Sequence, residues 1–499
     1  MGPQPRSRAS ARPSRAGKVP PATAAVALAA LAILTPGFSR VGAQAGPAQD
    51  GSFSPLLPWP LVAVHATVLA DGRVLTWGGG DEQKLAGHSD TRIWHPASGA
   101  FVAAPNGTTN LFCAGHAFTG DGRVLVAGGH ITNRTGTADV NVFDPSTNAW
   151  SLWAPMNRGR WYPTVTTLAN GEMLVTSGLH TNRDRNTLPQ VWLPLGGWRN
   201  LTNAVLDLPL YPWMFVAPDG RAFMAGPNKR AWWLSTSGAG KWTRGPASPF
   251  GHRVDGSAAM YDEGKILIAG GGKDVATRTA EVIDLTAEKP RFRSVGSMAF
   301  ARRHFNLTLL PDGSVLATGG TPAGNDTTRA VLPAEIFDPG TETWRTVAPL
   351  AKRRIYHSVA ALLLDGRVLV AGGGANAGDT DRLDAQVYSP PYLFKADGTP
   401  APRPVIEQTP AEVRPGQTFL VKTPDAARIA RVNWIRLSSV THSFNENQRL
   451  NRLVFGPATG GLNVSAPSSA NLAPPGHYIL FLIDRDGVPS VGKVVRMRP

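Results

Sequence analysis

Short apolar runs closed by glycine-containing turns recur along nearly the whole chain. Between residues 358 and 374, Ser-Val-Ala-Ala-Leu-Leu-Leu runs into Asp365-Gly366, and Arg-Val-Leu-Val-Ala then runs into three glycines. Runs this short suit strands better than helices, and an Asp-Gly pair readily adopts the positive φ angles of a tight turn. The stretch therefore predicts two antiparallel strands joined as a hairpin. The same frame occurs seven times. His65 to Gly79 and Gly115 to Gly129 are clear copies, with Asp71-Gly72 and Asp121-Gly122 at the turn. Weaker copies span 162–178, with Asn170-Gly171, and 214–226, with Asp219-Gly220; clear ones return at 256–271, 305–320 and 357–373. The closing glycines Gly79, Gly129, Gly178, Gly226, Gly271, Gly320 and Gly373 step by 50, 49, 48, 45, 49 and 53 residues.

A period near 50 residues that ends in paired glycines is the signature of kelch repeats, each a four-stranded blade of a β-propeller. Outer strands are visible as Val142-Phe143-Asp144-Pro145 with Trp150, and as Ile336-Phe337-Asp338-Pro339 with Trp344. After Pro390-Pro391-Tyr392 the period stops. The last hundred or so residues hold short strands between Pro/Gly turns, among them Thr418–Lys422, Arg431–Leu437, His477–Ile483 and Lys493–Arg498. That pattern fits an immunoglobulin-like β-sandwich. The expected fold is all-β: a seven-bladed kelch β-propeller over 46–397, then the sandwich over 398–499.

Composition agrees, with 54 glycines, 43 prolines and only 17% charged residues in 499. At the N-terminus, Arg6, Arg8, Arg12, Arg15 and Lys18 precede the apolar stretch Ala24–Leu34, and Ala43-Gln44-Ala45 follows. A basic region, a short apolar region and an A-x-A site predict a signal peptide over 1–45, so the protein is expected to be secreted or held at the cell envelope. The apolar run is shorter than the roughly 20 residues that span a bilayer, and no span is expected in the mature chain. Six of the basic residues lie in 1–45 without an acid, which lowers the formal charge of +15 to +9 beyond it. The basic residues are scattered, so no nucleic-acid partner is expected. A monomer is expected, and extracellular polysaccharide is a further candidate partner. The single cysteine, Cys113, has no internal disulfide partner; a buried inert thiol, a link to another chain and a reactive group all remain open.

In a propeller the innermost strands line a central channel, and their first residues meet at one mouth. Sixteen residues before each closing glycine stand Ala63, Cys113, Tyr162, Leu210, Asp255 and His304 in repeats one to six. In the longer seventh repeat Tyr356 stands seventeen before, with His357 next. Taken singly, a tyrosine or histidine at a strand mouth is ordinary packing. Cys113, Tyr162, Tyr356 and His357 together predict a site. Imidazole with phenolate suits Cu(II) or Fe(III), because an anionic oxygen stabilises the higher oxidation state. Asp255 alone reads as a solvated loop acid and gives no support to a hydrolase, which would want paired acids.

Phe112-Cys113-Ala-Gly, Arg160-Trp161-Tyr162-Pro163, Arg354-Ile355-Tyr356-His357-Ser358 and Thr441-His442-Ser443, in that order, resemble the copper-radical oxidases, the galactose oxidase and glyoxal oxidase family. Pro475-Gly476-His-Tyr-Ile-Leu-Phe and Gly487-Val488-Pro489-Ser490 are similar to that family's last domain. The resemblance implies one copper ion held by Tyr162, Tyr356, His357 and His442, with a thioether from Cys113 to Tyr162 forming a self-derived radical cofactor. It implies that Tyr356 takes the substrate's hydroxyl proton, and that O2 is the oxidant and H2O2 a product. Galactose-oxidising members stack a tryptophan over the cross-linked ring eighteen residues after the tyrosine; that position here is His180. This departure favours small aldehydes or simple primary alcohols, as in glyoxal oxidase, over galactose. A galactose oxidase-like sugar alcohol oxidase is the nearer alternative. A secreted propeller serving only as a binding scaffold is the more distant one, and it would have no reason to form a cross-link.

Overall fold

A computed structural model describes residues 46–78, 88–273, 275–375 and 380–499. The expected signal peptide and Gly79 lie outside the described residues. Each copy of the repeat supplies the two inner strands of its own antiparallel sheet. In repeat two, Gly115–Phe118 pairs with Val124–Ala127, followed outward by Val140–Asp144 and Ala149–Trp153. Repeats three to six form four-stranded sheets in the same way, with inner strands Thr164–Thr167, Trp213–Val216, Ser257–Asp262 and Arg303–Leu309. Repeat seven ends at Asp384–Ser389 and takes a further strand from the start of the described chain, Ser52–Phe53, with Ser52 opposite Ser389. The inner strands of the first and last repeats, His65–Val68 and Ser358–Leu362, pack against each other. The ends of the repeat array are thus joined both at the rim and at the axis.

Inner strands are buried along their length apart from an end residue in three of them, and at every position in Val368–Gly372 and Val124–Ala127. They therefore read as continuous apolar runs, without the alternation of a half-buried strand. At four of the turns the sequence is Asp-Gly-Arg. In Asp365-Gly366-Arg367 the glycine sits at φ 82 and the Asp365 carboxylate accepts the Arg367 backbone N–H at 3.0 Å. Outer aromatic side chains join neighbouring sheets: Trp150 Nε1 donates to Ala104 O at 2.8 Å, and Trp198 Nε1 donates to Ala154 O at 2.7 Å.

A second device repeats less visibly. Arg160, Arg253, Arg302 and Arg354 are buried just before the inner strands of repeats three, five, six and seven. Each donates Nη1 to a carbonyl of its own second strand or the turn after it: Ser177 O, Gly270 O, Gly319 O and Gly372 O, at 2.6–2.9 Å. Three of them pair with a third-strand acid, Glu281, Glu335 or Asp384. Both Arg302 and Glu335 side chains are fully buried (0% exposed). Removing one partner leaves a desolvated charge behind, so Glu335→Ala is expected to cost about 3–5 kcal/mol of stability. Denaturant midpoints of wild type and variant check this.

Beyond residue 400, Glu412–Val413, Lys493–Met497, Gly476–Asp484, Ile429–Arg436 and Leu450–Leu453 form one sheet. Thr418–Lys422, Gly461–Ser465 and Phe455–Ala458 form a second. Val421, Trp434, Val464, Tyr478 and Leu480 share one buried cluster contributed by both sheets. From this region a hairpin, Ser439–Thr441 with Phe444–Asn445, leaves to extend the sheet of repeat one, and Thr441 pairs with His65. The residues after it reach the inner strands of other repeats. Glu446 Oε2 accepts from Val165 N at 2.6 Å, Gln448 Oε1 from Leu309 N at 3.1 Å, and Arg449 Nη2 donates to Val216 O at 3.3 Å. Paired by its backbone to repeat one and by its following side chains to backbone groups of three others, the hairpin is not a free loop.

Candidate active site

The mouth residues share an uncommon backbone. Cys113 (φ 66), Tyr162 (φ 66), Tyr211 (φ 45), Asp255 (φ 56), His304 (φ 55) and His357 (φ 65), one from each of repeats two to seven, all adopt the left-handed conformation. Non-glycine residues rarely do, and such strain persists where the surroundings over-determine it. Here the surroundings are the adjacent repeats: Tyr162 N donates to Cys113 O at 2.9 Å, Tyr211 N to Tyr162 O at 3.0 Å, and His304 N to Asp255 O at 2.8 Å. Counting back from the glycines finds five of these six positions. In repeat four it points to Leu210 and the structure has Tyr211, because that repeat closes on the single glycine of Ala225-Gly226-Pro227, one residue nearer the turn than the closing glycine of repeat three.

Tyr162, Tyr356, His357 and His442 converge. The Tyr162 and Tyr356 hydroxyls share a short hydrogen bond, and His442 Nε2 lies 2.9 Å from the Tyr162 hydroxyl. The Tyr356 and His357 rings are stacked at 3.9 Å, and those of His357 and His442 lie edge to face at 4.7 Å. His442 stands at the tip of the inserted hairpin, with φ 45. Both imidazoles are fixed from behind. His357 Nδ1 donates to Gly374 O at 2.8 Å, and His442 Nδ1 meets Thr441 Oγ1 at 2.6 Å. The His357 Nε2 atom is buried without a hydrogen-bond partner.

Those contacts engage Nδ1 of each ring and leave Nε2 to bind, which is how metal-binding histidines are held. Burial keeps the imidazoles neutral, with His357 lowered to about 4 and His442, also beside His357, well below the usual range. Burial raises both phenols, Tyr162 and Tyr356, so each keeps its proton until a cation replaces it. Two neutral imidazoles and two phenols of this kind fit a copper ion with mixed nitrogen and oxygen donors. Among the described residues no group of three or more His, Cys, Asp or Glu side chains forms a metal cage; this donor set needs its tyrosines.

Cys113 is fully buried, and burial pushes its thiol well up, opposed by a hydrogen-bond contact with Tyr162. Its backbone N–H donates to His65 Nε2 at 3.2 Å, and His65 in turn stacks on Trp77 at 4.8 Å. The ring lying face to face with Tyr162 is Trp161, at 3.5 Å and 6°. His180 is half-buried, and its Nδ1 accepts from Gly159 N at 3.2 Å. Adjacent residues of an extended chain point to opposite sides, so sequence spacing gives no hint of Trp161. The left-handed turn at Tyr162 swings the two rings together. Tyr211 was also missed: its ring lies 4.6 Å from Tyr162 and 4.7 Å from His442, and its hydroxyl donates to Ala114 O at 2.9 Å.

Comparison with known proteins gives the family. Residues 100–392 match the family model described as glyoxal oxidase N-terminus, and 403–497 match the galactose oxidase-like early set domain. A galactose oxidase from Gibberella zeae is 31% identical over 493 residues, spanning 90% of this chain and 70% of that protein. Aldehyde oxidase GLOX from Vitis pseudoreticulata is 28% identical over 445 residues, spanning 78% of this chain and 82% of that protein. A fungal alcohol oxidase of the AA5 family, solved in complex with copper, superposes with a TM-score of 0.82 at 27% identity, covering 90% of this chain and all of that one (100%). Matched over most of its length by both enzymes and structure, the chain belongs to the galactose oxidase and glyoxal oxidase family of copper-radical oxidases.

Proposed function

We propose that the protein oxidises small aldehydes or primary alcohols with O2 and releases H2O2, with a substrate range nearer to glyoxal oxidase than to galactose oxidase. The observation that carries this is the convergence of two phenols on two imidazoles whose Nε2 atoms are held inward. Tyr162, Tyr356, His357 and His442 would hold the copper, and Cys113 would be joined to Tyr162 by a thioether. When bound, copper takes one electron of the two-electron oxidation and the cross-linked ring takes the other. The chain's own side chains divide the remaining work. Tyr356, half-buried at the open side of the site, receives the proton of the substrate hydroxyl. Trp161 covers one face of the Tyr162 ring and keeps water from it. Thr441 and Gly374 hold the two imidazoles in the tautomer that presents Nε2.

On the same reading, residues 1–45 are a signal peptide that exports the enzyme, 46–397 the catalytic propeller, and 398–499 the domain that donates His442. No helix among the described residues is long and apolar enough to cross a membrane. The test is the peptide mass before and after incubation with copper and oxygen. Closing the Cys113–Tyr162 bond removes two hydrogens, about 2 Da, and joins two tryptic peptides in a link that reductants do not open. A Cys113 that stays alkylatable after copper loading would reject the reading in favour of a scaffold.

A further inference from the structure

Asp255 reads in the sequence as a solvated loop acid, and its surroundings are different. Its backbone is left-handed, at φ 56. Its Oδ2 accepts a short hydrogen bond from Arg303 Nη2 and faces His304 Nε2 at 3.5 Å. The His304 ring lies 4.8 Å from that of Tyr356. Of the three side chains, Arg303 is 11% exposed, His304 7% and Asp255 29%. The carboxylate is therefore the most exposed member of a cluster whose His304 ring packs against Tyr356. Its charge also reaches that phenol, adding to the effect of burial in raising it.

We propose that Asp255, held by Arg303 and His304, accepts a hydrogen bond from the second hydroxyl of an aldehyde hydrate while Tyr356 takes the proton of the first, so that the site selects hydrated aldehydes over primary alcohols. The inference rests on the oxidase reading above and names its substrate class. An aldehyde hydrate, RCH(OH)2, carries two hydroxyls on the reacting carbon. A primary alcohol carries one, with hydrogen in the second place. Among the described residues Arg303 and His304 both meet the carboxylate at Oδ2, which leaves Oδ1 to the ligand. A ligand that lacks the second hydroxyl leaves Oδ1 without that partner, and sites built to hydrogen-bond a hydroxyl discriminate against ligands without one. The hydrate gives up two electrons and two protons to become RCOOH, and O2 takes both pairs to become H2O2.

The experiment measures kcat/KM for glyoxal, which is hydrated in water, and for ethylene glycol, on copper-loaded wild type and on Asp255→Asn. Asparagine tolerates the left-handed backbone and keeps the size of the side chain. The aldehyde-to-alcohol ratio is expected to fall by about 10–100-fold, with the cross-link mass and bound copper unchanged. Asp255→Glu is expected to restore part of the ratio. Arg303→Met, which frees the carboxylate from its clamp, should lower the ratio in the same direction and serves if Asp255→Asn does not fold. A ratio unchanged in the variants, or both substrates lost in parallel, overturns the assignment of Asp255 and leaves the oxidase standing. A wild type that forms no cross-link and oxidises neither compound overturns the oxidase reading itself.

Discussion

Cys113→Ser is expected to abolish the copper-dependent loss of about 2 Da and to lower kcat by on the order of a thousandfold or more, as removal of one member of a cooperating unit does. Serine matches the fully buried cysteine in size, so the fold and the four proposed copper donors are expected to stay in place. What disappears is the sulfur bonded to the Tyr162 ring. Sulfur feeds electron density into an aromatic ring and makes a one-electron oxidation of it easier; an unmodified phenol in this dry site holds its electron more tightly. Copper content measured alongside separates the two effects. A variant with copper bound, no joined peptide and no peroxide release is the expected result. Activity within tenfold of wild type would show that the cross-link is dispensable and that Tyr162 is a ligand only.

The second large effect is expected at Tyr356. Tyr356→Phe removes the hydroxyl that meets Tyr162 and leaves Cys113 and Tyr162 untouched, so the joined peptide should still form. Loss of a positioned proton acceptor costs about 10²–10⁴-fold in turnover, and that fall is expected in kcat for alcohols and aldehydes alike. The pair of variants is diagnostic. Cys113→Ser loses cross-link and activity together, whereas Tyr356→Phe keeps the first and loses the second. The phenylalanine ring retains the stacking on His357, which lies 3.9 Å from the tyrosine ring, so a misplaced imidazole does not explain the loss. Full activity in Tyr356→Phe would move the proton acceptor elsewhere, with Tyr211, 4.7 Å from His442, the next group to test.

Much of this architecture was legible in the residues alone. The strand–turn–strand frame is a local pattern: buried strands read as apolar runs, and glycine marks each turn because few other residues take its φ. Counting along that frame placed Cys113, Tyr162, Asp255, His304 and His357 at one mouth, and all five are left-handed there. The acid partners of Arg253 and Arg302 were legible in principle, since Glu281 and Glu335 sit opposite Ile268 and Ala317, each three residues before its closing glycine.

The rest depended on contacts between segments far apart in the chain. His442 could be assigned only by family resemblance, because pairing of Thr441 with His65 brings it in from the C-terminal region, and no periodicity reports a pairing made once. Tyr211 lay one residue off the count because repeat four closes on one glycine where the others have a longer closing turn. Trp161 came to cover Tyr162 through a left-handed turn that neighbouring sheets impose, against the alternation expected of an extended chain. Asp255 acquired its partners from the next repeat, Arg303 and His304. The sequence by itself determined the repeat, its strands and the residue types at the channel mouth, since these follow from short-range pattern and backbone preference. Only the tertiary structure decided which way those side chains point and which ones meet, because direction is set by φ at strained positions and by long-range pairing that burial makes worthwhile.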